Sequence, residues 1–573
     1  MSENKPRDVE SRNRIIDYDG RNMLVSASAG TGKTTIMISR ILSLIKKGLD
    51  VENLVVVTFT NLAAAEMKRR LSEKLSEESG SRIVRQLEKL DNAAICTLHS
   101  FCGDLLRNYF YVADVDPSFA ILDAKGASAL QSEVLDDLTG EYFAADDEGF
   151  RRLYRIFAER RNEENFRKVI TKLYEFSRCL PDFGEWYGRV RQYLVNYSDD
   201  NPMVRELVRY AAEQAEPVAE TCREAADQLE VCGMSDCAHD CRRFADEISR
   251  NGSAEQYFNS LMKADLKLPA KNTLVVRKCA NPELAVETLD KLRVVLGERR
   301  KSNKLGFLEG RSLSEAWRDN EASFQLTDKL AEVITRFDQK YFEAKKQRGA
   351  VDFNDLEHLA LKVLRDPAAS ADVHKRYEAV FVDEYQDTNP VQEEIISLLA
   401  RGAKLFMVGD VKQSIYHFRG CDPTIFADKY SFYKQSGEGA VEELSVNFRT
   451  DNDILHFVND VFSLLMTQRF GNVDYLNTSC IESEVNKNFS PSVKITLVQA
   501  PTKEKQTPHG LYRIKQAEES VDVTQGEIIA EEIKRCVGKK YRVNGEVKTI
   551  GYGDVAVLVR GLKGTKKIGR AYV

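Results

Sequence analysis

The stretch "NMLVSASAGTGKTTIMISRIL", Asn22–Leu42, carries apolar residues at Met23–Val25 into a run of small residues, then into a segment with Ile36, Ile38, Ile41 and Leu42 on one apolar side. That order predicts a strand, a loop and a helix. Against the pattern GxxxxGK[ST], Ala27 stands at the first glycine position, and Ser28, Ala29, Gly30, Thr31, Gly32, Lys33 and Thr34 complete the match, with Thr35 following. Successive backbone N–H groups and the N-terminus of the next helix can cradle phosphates, while Lys33 reaches the β/γ-phosphates and Thr34 binds Mg²⁺. A purely structural turn would not need Lys33 and Thr34 in register behind the glycines.

A second stretch, "YEAVFVDEYQDT" at Tyr377–Thr388, places a continuous apolar run, Ala379–Val382, before two adjacent acids. Such a run marks a central parallel strand buried on both faces, and ligands bind at the ends of strands of this kind. Asp383 is expected to hold Mg²⁺ through its coordination shell, and Glu384 to orient and polarise the attacking water. Alone, an acidic pair after an apolar run is more often a solvated turn; with a phosphate loop upstream it becomes the expected partner.

Further stretches repeat the plan. Leu54–Val57 leads to a polar turn at Thr58–Asn61 and an alanine-rich helix, "AAICTLHSFC" ends a strand at Thr97, His99 and Ser100, and Leu405–Val408 runs into Asp410, Lys412, Gln413, Tyr416, Phe418 and Arg419. With the first two strands these predict a five-strand α/β unit of the doubly wound type. "VEELSVNFRTDNDILHFV" places Asn447, Phe448 and Arg449 before another helix. The strand ends mix hydroxyl, aromatic and basic groups: Thr58, Phe59, Thr60, Asn61, Thr97, His99, Tyr416, Phe418 and Arg419. Stacking rings and phosphate donors along one edge suit single-stranded nucleic acid, because every base has a π-face and every linkage an anion. The alternative, that Phe59 and Phe418 are core residues, stays open at this point.

The bulk properties narrow the class. A chain of 573 residues implies three to four structural units at about 150 residues each. With 43% hydrophobic and 30% charged residues it reads as globular and helix-rich. The formal charge of -6 means that a nucleic-acid site must be a local groove. The charged start "MSENKPRDVESRNRIIDYDG" and the lack of a long apolar run predict a cytoplasmic protein with no membrane segment and reduced cysteines. Cys222, Cys232, Cys237, His239 and Cys241 cluster without CxxC spacing in a segment of helical period, so cysteines on a helical face are expected there rather than a metal site.

In order and content, "SASAGTGKTT", "VVVTFTNLAAAEM", "ICTLHSFC", "VDEYQDT", "FMVGDVKQSIYHFRG" and "NFRT" resemble the first motifs of superfamily 1 UvrD/Rep-type helicases. "LYEFSRCLPDFGEWY" at Leu173–Tyr187, "VDFNDLEHLAL" at Val351–Leu361 and "VKQSIYHFR" are closer still to AddA subunits of bacterial AddAB helicase–nucleases. The resemblance implies ATP·Mg²⁺ on Gly30, Gly32, Lys33 and Thr34, Asp383 on the metal, and Glu384 as catalytic base. It further implies Gln413 as γ-phosphate sensor, Phe448 stacked on adenine, Arg449 as an arginine finger, and Phe59, His99, Tyr416, Phe418 and Arg419 along a single strand. Relatives often carry an adenine-reading glutamine before the phosphate loop, whereas here Arg12 stands near that place.

The implied fold is a RecA-like P-loop NTPase motor domain with a large helical insertion and an incomplete second RecA-like domain. The expected boundaries are 1–120 and 346–435 for the two parts of the first domain, 121–345 for the insertion, and 436–573 for the second, with strands at "VKITLVQA" and "DVAVLVR" around a helix near "QGEIIAEEIKRCV". Later segments that the family needs, resembling "SKGLE" and "VALTRA", do not occur, so a truncated AddA-like polypeptide is expected. The implied function is a 3′→5′ DNA helicase motor acting on DNA ends in break repair and recombination, with an AddB-like partner and no nuclease activity from these residues. The competing readings are a non-catalytic ATP- and single-strand-binding module, a RecB/UvrD-like repair helicase outside the AddA group, and a P-loop kinase, which would leave the Thr58–Asn61 and Tyr416–Arg419 elements without a task.

Overall fold

The structure is a computed structural model that describes residues 8–158, 163–249, 252–301, 312–319, 321–467, 475, 480–483, 493–497, 526–543 and 546–559. These divide into two compact units, one within Met1–Thr450 and Leu465–Val485, the other within Asp451–Leu464 and Asn486–Val573.

The strands of the first unit are β1 (Asn22–Ala27), β2 (Leu54–Thr58), β3 (Ala94–Thr97), β4 (Ala120–Ile121), β5 (Ala350–Val351), β6 (Ala379–Val382), β7 (Lys404–Gly409) and β8 (Ala440–Leu444). Six of them form one sheet in the order β3-β2-β6-β7-β1-β8, and each adjacent pair is parallel. Side chains alternate between its faces as the period of two requires. Val55, Val57, Val380, Val382, Leu405 and Met407 join one core with the helices Leu98–Asn108, Phe353–Arg365 and Pro390–Leu399. Their neighbours Leu54, Val56, Ala379, Phe381, Phe406 and Val408 join another with the helices Lys33–Lys47 and Asn61–Ser76. Full burial of one such Val, Leu, Ile or Phe side chain contributes about 1.5–3 kcal/mol, so β2, β6 and β7, covered on both sides, tolerate no polar interruption.

This is the doubly wound parallel arrangement expected, with one strand more. β8 pairs with β1 from Met23↔Ala440 to Ala27↔Leu444, so the boundary expected near residue 436 falls inside the first unit. As an edge strand, β8 buries only Leu444, which lets it carry Glu442 and Glu443 and hides it from a search for apolar runs.

The insertion leaves the sheet domain after β4 and returns through β5, which pair in parallel at Ala120↔Ala350 and Ile121↔Val351. The described residues between them are helical apart from connections, as expected, and pack around two cores. Cys222, Cys232 and Cys241 are buried in one of these, and no group of His, Cys, Asp and Glu able to hold a metal occurs among the described residues.

Buried charges fasten the insertion to the sheet domain. Lys345, fully buried, lies 2.7 Å from Asp352 and 2.6 Å from Asp355, and Arg178 lies 3.1 Å from Asp338 and 3.3 Å from Asp355. Removing one partner of such a set costs about 3–5 kcal/mol because the others stay buried without compensation.

The second unit takes residues 452–464 of the helix Asn452–Leu465, and residues 526–536 form another helix near the expected place. Lys540–Val543 and Glu546–Thr549 form an antiparallel ladder that the sequence reading did not identify. The expected strands at 493–500 and 554–560 are not found: residues 493–497 and 555–559 carry no strand, Leu497 and Leu558 being almost fully exposed, and 498–500 and 560 lie outside the described residues. No helix among the described residues is long and apolar enough to cross a membrane.

Candidate nucleotide and single-strand site

The loop after β1 turns on two glycines. Gly30 and Gly32 have φ of 74° and 83°, a region in which a side chain is strained, and a Cβ on Gly30 would stand 2.5 Å from Asn447 Nδ2. Gly32 caps the helix Lys33–Lys47, whose N-terminus points its free N–H groups into the loop. The loop's carbonyls are held from within and from outside: Thr31 Oγ1 donates to Ser28 O at 2.8 Å, Asn447 Nδ2 to Ala29 O at 2.6 Å, and the Phe448 amide to Gly30 O at 3.0 Å. Ala27 is buried at the strand end, Thr34 is half-buried in the first helical turn, and Thr35 is exposed.

The acidic turn lies beside it because β6 and β1 both neighbour β7. Asp383 prolongs the sheet, its amide donating to Val57 O at 2.9 Å. Glu384 then takes a left-handed φ of 50°, a conformation costing roughly 1–3 kcal/mol that persists only where the surroundings impose it. Here they do: its amide donates to Asp383 Oδ1 at 3.0 Å, and its Oε2 accepts from Lys33 Nζ at 2.7 Å and from Gln386 Nε2 at 2.9 Å. Burial, and then the charge of Glu384, push the Asp383 carboxyl up to about 6. The same two causes push Asp387 up to about 6, and its buried Oδ1 has no hydrogen-bond partner.

A third strand end closes the group. Gln386 Oε1 accepts from the Asp410 amide at 2.8 Å, Asp410 Oδ2 accepts from Gln413 Nε2 at 2.6 Å, and Lys412 Nζ lies 2.8 Å from Asp410 Oδ1 and 3.2 Å from Ser28 Oγ. Gln413 is thus joined to Glu384 through Asp410 and Gln386. Gln386 and Asp387 had no role in the sequence reading; their only signal was their place in "DEYQDT".

Just after β8, the short strand β9 (Val446–Asn447) sets the next residues, as Asn447 Oδ1 accepts from the amides of Arg449 at 2.8 Å and Thr450 at 2.7 Å. Phe448 lies against the phosphate loop with the Arg12 guanidinium 4.9 Å from its ring centroid. Arg449 is positioned by its backbone, and its side chain is exposed rather than paired with the acidic turn.

Along the outer edge, Phe59 and Tyr416 stack at 4.8 Å with planes 27° apart, and Tyr416 meets Phe418 at 5.9 Å. Phe59 is 41% exposed and Phe418 77%, so neither is a core residue. The hydroxyls on this edge are occupied locally. Thr58 is buried and donates to Thr60 O at 3.0 Å, which makes it a shaper of the turn rather than an open contact. Thr60 and Thr97 cap the helices beginning at Asn61 and Leu98. Asn61 is exposed, and the Arg419 side chain lies outside the described residues.

His99 is held from behind by a residue the sequence reading left out. Its Nε2 lies 3.1 Å from Oε1 of Glu357, a buried carboxylate that also accepts from Gln392 Nε2 at 2.7 Å and Asn389 Nδ2 at 3.5 Å. Burial pushes the Glu357 carboxyl up, but the bonds from His99, Gln392 and Asn389 outweigh it and hold the group below its usual range.

The UvrD/REP helicase N-terminal domain model matches residues 9–434. The chain is 30% identical over 620 aligned residues to the A subunit of the ATP-dependent helicase/nuclease of Listeria innocua, covering 97% of this chain and 48% of the relative. It is 32% identical to the protein of that name from Geobacillus kaustophilus and 31% identical to that from Alkaliphilus oremlandii, in each case over 96% of this chain and 47% of the relative. The chain therefore spans about half the length of the curated relatives it matches.

Proposed function

The chain belongs to the UvrD/REP helicase family, and from that premise we propose that it is the ATP-hydrolysing motor portion of a DNA helicase and translocase, equivalent to the N-terminal half of an AddA-type protein. The observation that carries the reading is the meeting of Lys33 and Glu384 at 2.7 Å, with the linked residues Gln386, Asp410 and Gln413 leading to the half-buried Tyr416 and the exposed Phe418. A phosphate loop alone would fit a kinase, but a phosphate loop wired to a stacking edge fits a motor whose turnover answers to a polymer.

The residues present suit ATP and Mg²⁺. The left-handed glycines give the loop a path that a side chain at Gly30 would block by striking Asn447, and Lys33 supplies a cation at the acidic turn. The raised Asp383 carboxyl is one that a divalent cation would stabilise in its ionised form. Gly30, Gly32, Lys33 and Thr34 would hold the phosphates, Thr34 and Asp383 the metal, and Phe448 the base. Bound ATP supplies the phosphoanhydride whose hydrolysis drives movement.

In this scheme Glu384 accepts a proton from water at its carboxylate. Gln386 keeps that carboxylate aimed, and Lys33 guards it until phosphate competes for the ammonium. Gln413, on the chain that ends in Tyr416 and Phe418, passes the state of the strand-contacting edge to the acidic turn. Arg449 would add positive charge as an arginine finger. Phe59, Tyr416 and Phe418 would stack on bases, with Thr60, Asn61, Thr97, His99 and Arg419 along the backbone. Movement 3′→5′, action at DNA ends in break repair and recombination, a cytoplasmic setting, and a partner of AddB type are part of the same proposal and rest on the resemblance.

The test is ATP hydrolysis with and without single-stranded DNA. Strand-stimulated turnover that is lost in Lys33→Ala supports the motor. ATP and strand binding without stimulated turnover would favour a non-catalytic module instead.

A further inference from the structure

The turn that carries Arg449 is built on the side chain of Asn447. This residue is 1% exposed, and its backbone is settled by parallel pairing with the strand Glu482–Ser483. Its carboxamide is used at both ends. Oδ1 accepts from the amides of Arg449 at 2.8 Å and Thr450 at 2.7 Å, and Nδ2 donates at 2.6 Å to the carbonyl of Ala29, inside the phosphate loop. The group lies flush against Gly30, where a Cβ would stand 2.5 Å from Nδ2, 2.8 Å from Cγ and 2.9 Å from Oδ1. The Arg449 side chain itself is exposed, so what aims it is the backbone beneath.

A side-chain amide oxygen has two lone pairs and its nitrogen two donors. Here successive amides take both lone pairs, and the phosphate loop takes a donor. One planar group therefore fixes how far the Arg449 amide stands from the Ala29 carbonyl. That carbonyl and the Gly30 amide belong to a single planar peptide unit and point opposite ways. A loop that turns its amides towards a phosphate sets the direction of the carbonyls behind them. The Ala29 and Gly30 carbonyls are the ones that the Asn447 side chain and the Phe448 amide hold.

We propose that Asn447 is a positioning residue that carries the set of the phosphate loop to Arg449, so that the arginine is aimed by the loop whose phosphates it serves. The inference rests on the reading of Arg449 as an arginine finger and adds the residue that directs it.

The test is single-turnover phosphate release by the whole chain, with ATP, Mg²⁺ and single-stranded DNA, in wild type, Asn447→Asp, Arg449→Ala and the double variant. Calorimetry with ATP and thermal melts accompany it. Aspartate caps as well as asparagine does, so Asn447→Asp keeps the bonds to Arg449 and Thr450. It also sets an acceptor where Nδ2 stands 2.6 Å from Ala29 O, and the two must part. The expected result is a melting temperature close to that of wild type and turnover lower by about 10- to 100-fold, the order that a misplaced catalytic group costs. The ATP dissociation constant should change by less than turnover does. Arg449→Ala alone should lose about 10³- to 10⁵-fold, the worth of an arginine finger. In that background Asn447→Asp should change turnover by less than about twofold, because its effect passes through the missing side chain.

Equal losses from Asn447→Asp in the two backgrounds would overturn the inference, since Asn447 would then act apart from Arg449. Unchanged turnover at saturating ATP in Asn447→Asp would also overturn it. Wild-type turnover in Arg449→Ala would remove the finger and this inference together, leaving the phosphate-loop site standing. If Asn447→Asp does not fold, the same comparison with Asn447→Ala, which removes both ends of the link, decides the matter.

Discussion

Lys33 Nζ and Glu384 Oε2 lie 2.7 Å apart, although 351 positions separate them in the chain. One ion pair thus joins the phosphate loop to the acidic turn, and each partner keeps the other from wandering before a nucleotide arrives. Only the two residues' chemistry distinguishes their losses. Lys33→Ala should abolish measurable ATP binding and hydrolysis. Glu384→Gln should keep ATP binding within a few-fold while turnover falls by about 10²- to 10⁴-fold, the range for a lost general base. Calorimetry and steady-state phosphate release check the two arms, and equal loss of binding in both variants would count against the division of roles.

The aromatic edge makes a separate forecast. Phe59, Tyr416 and Phe418 touch in series, at 4.8 Å and 5.9 Å. Replacement of Phe418, the most exposed, by Ala should weaken single-strand binding by about 5- to 150-fold, the worth of one base stack at roughly 1–3 kcal/mol. Phe59→Ala and Tyr416→Ala should be non-additive, because each ring braces the other. Fluorescence anisotropy with a labelled oligonucleotide measures all three, and unchanged affinity in Phe418→Ala would remove the stack from the account.

Glu357 offers a test at one remove from the strand. It accepts hydrogen bonds from His99, Gln392 and Asn389, so Glu357→Gln would turn an amide N–H₂ against at least one of these donors. The expected result is a loss of roughly 1–3 kcal/mol in stability from the unmatched buried donor. Single-strand affinity should fall several-fold, with strand-free ATPase near wild type. Thermal melts and anisotropy read the two effects, and a variant that binds strand normally would show that His99 needs no such support.

Acid should loosen the junction between insertion and sheet domain through His358. Its Nε2 faces Arg178 O at 2.9 Å, and burial, then the charge of Arg178, push the imidazole down from 6.5 to about 4. A histidine depressed on folding stabilises the fold while it stays neutral. Its contribution is complete above pH 6.5 and is lost as the pH falls towards 4, where the unfolded chain binds the proton more readily. The fall from 6.5 to about 4 corresponds to about 3 kcal/mol. His358→Gln should remove that portion of the pH dependence, so the wild-type and variant melting curves should converge as the pH falls from 6.5 to 4. Parallel curves would refute the assignment.

Much of this was visible in particular residues of the sequence. Ala379–Val382 and Leu54–Val57 announce themselves because strands covered on both faces can only be apolar runs, and Gly30, Gly32, Lys33, Asp383 and Glu384 because their chemistry depends on local spacing. β8 escaped since an edge strand needs one buried residue, Leu444, and is free to carry Glu442, which pairs with Arg14. The opposite error arose at Leu497 and Leu558, where apolar content suggested strands but no ladder forms. Gln386 and Glu357 were illegible for a different reason: their partners, Asp410 and His99, are brought to them by strand adjacency and helix packing, and no local pattern encodes that.

The placement of β6 between β2 and β7 has a consequence for how the protein emerges from the ribosome. β2 and β3 are made early, yet the strand that completes the other side of β2 arrives about 320 residues later, after the whole insertion. At roughly 5–20 residues per second, that edge waits between about a quarter of a minute and a minute with its backbone unpaired and its apolar faces half covered. The insertion, with cores of its own, can fold during the interval, and the β4–β5 pair then brings the chain back to where it left. The order of synthesis thus leaves the nascent strands β1, β2 and β3, all made before residue 98, as the part that waits longest for its sheet to be completed.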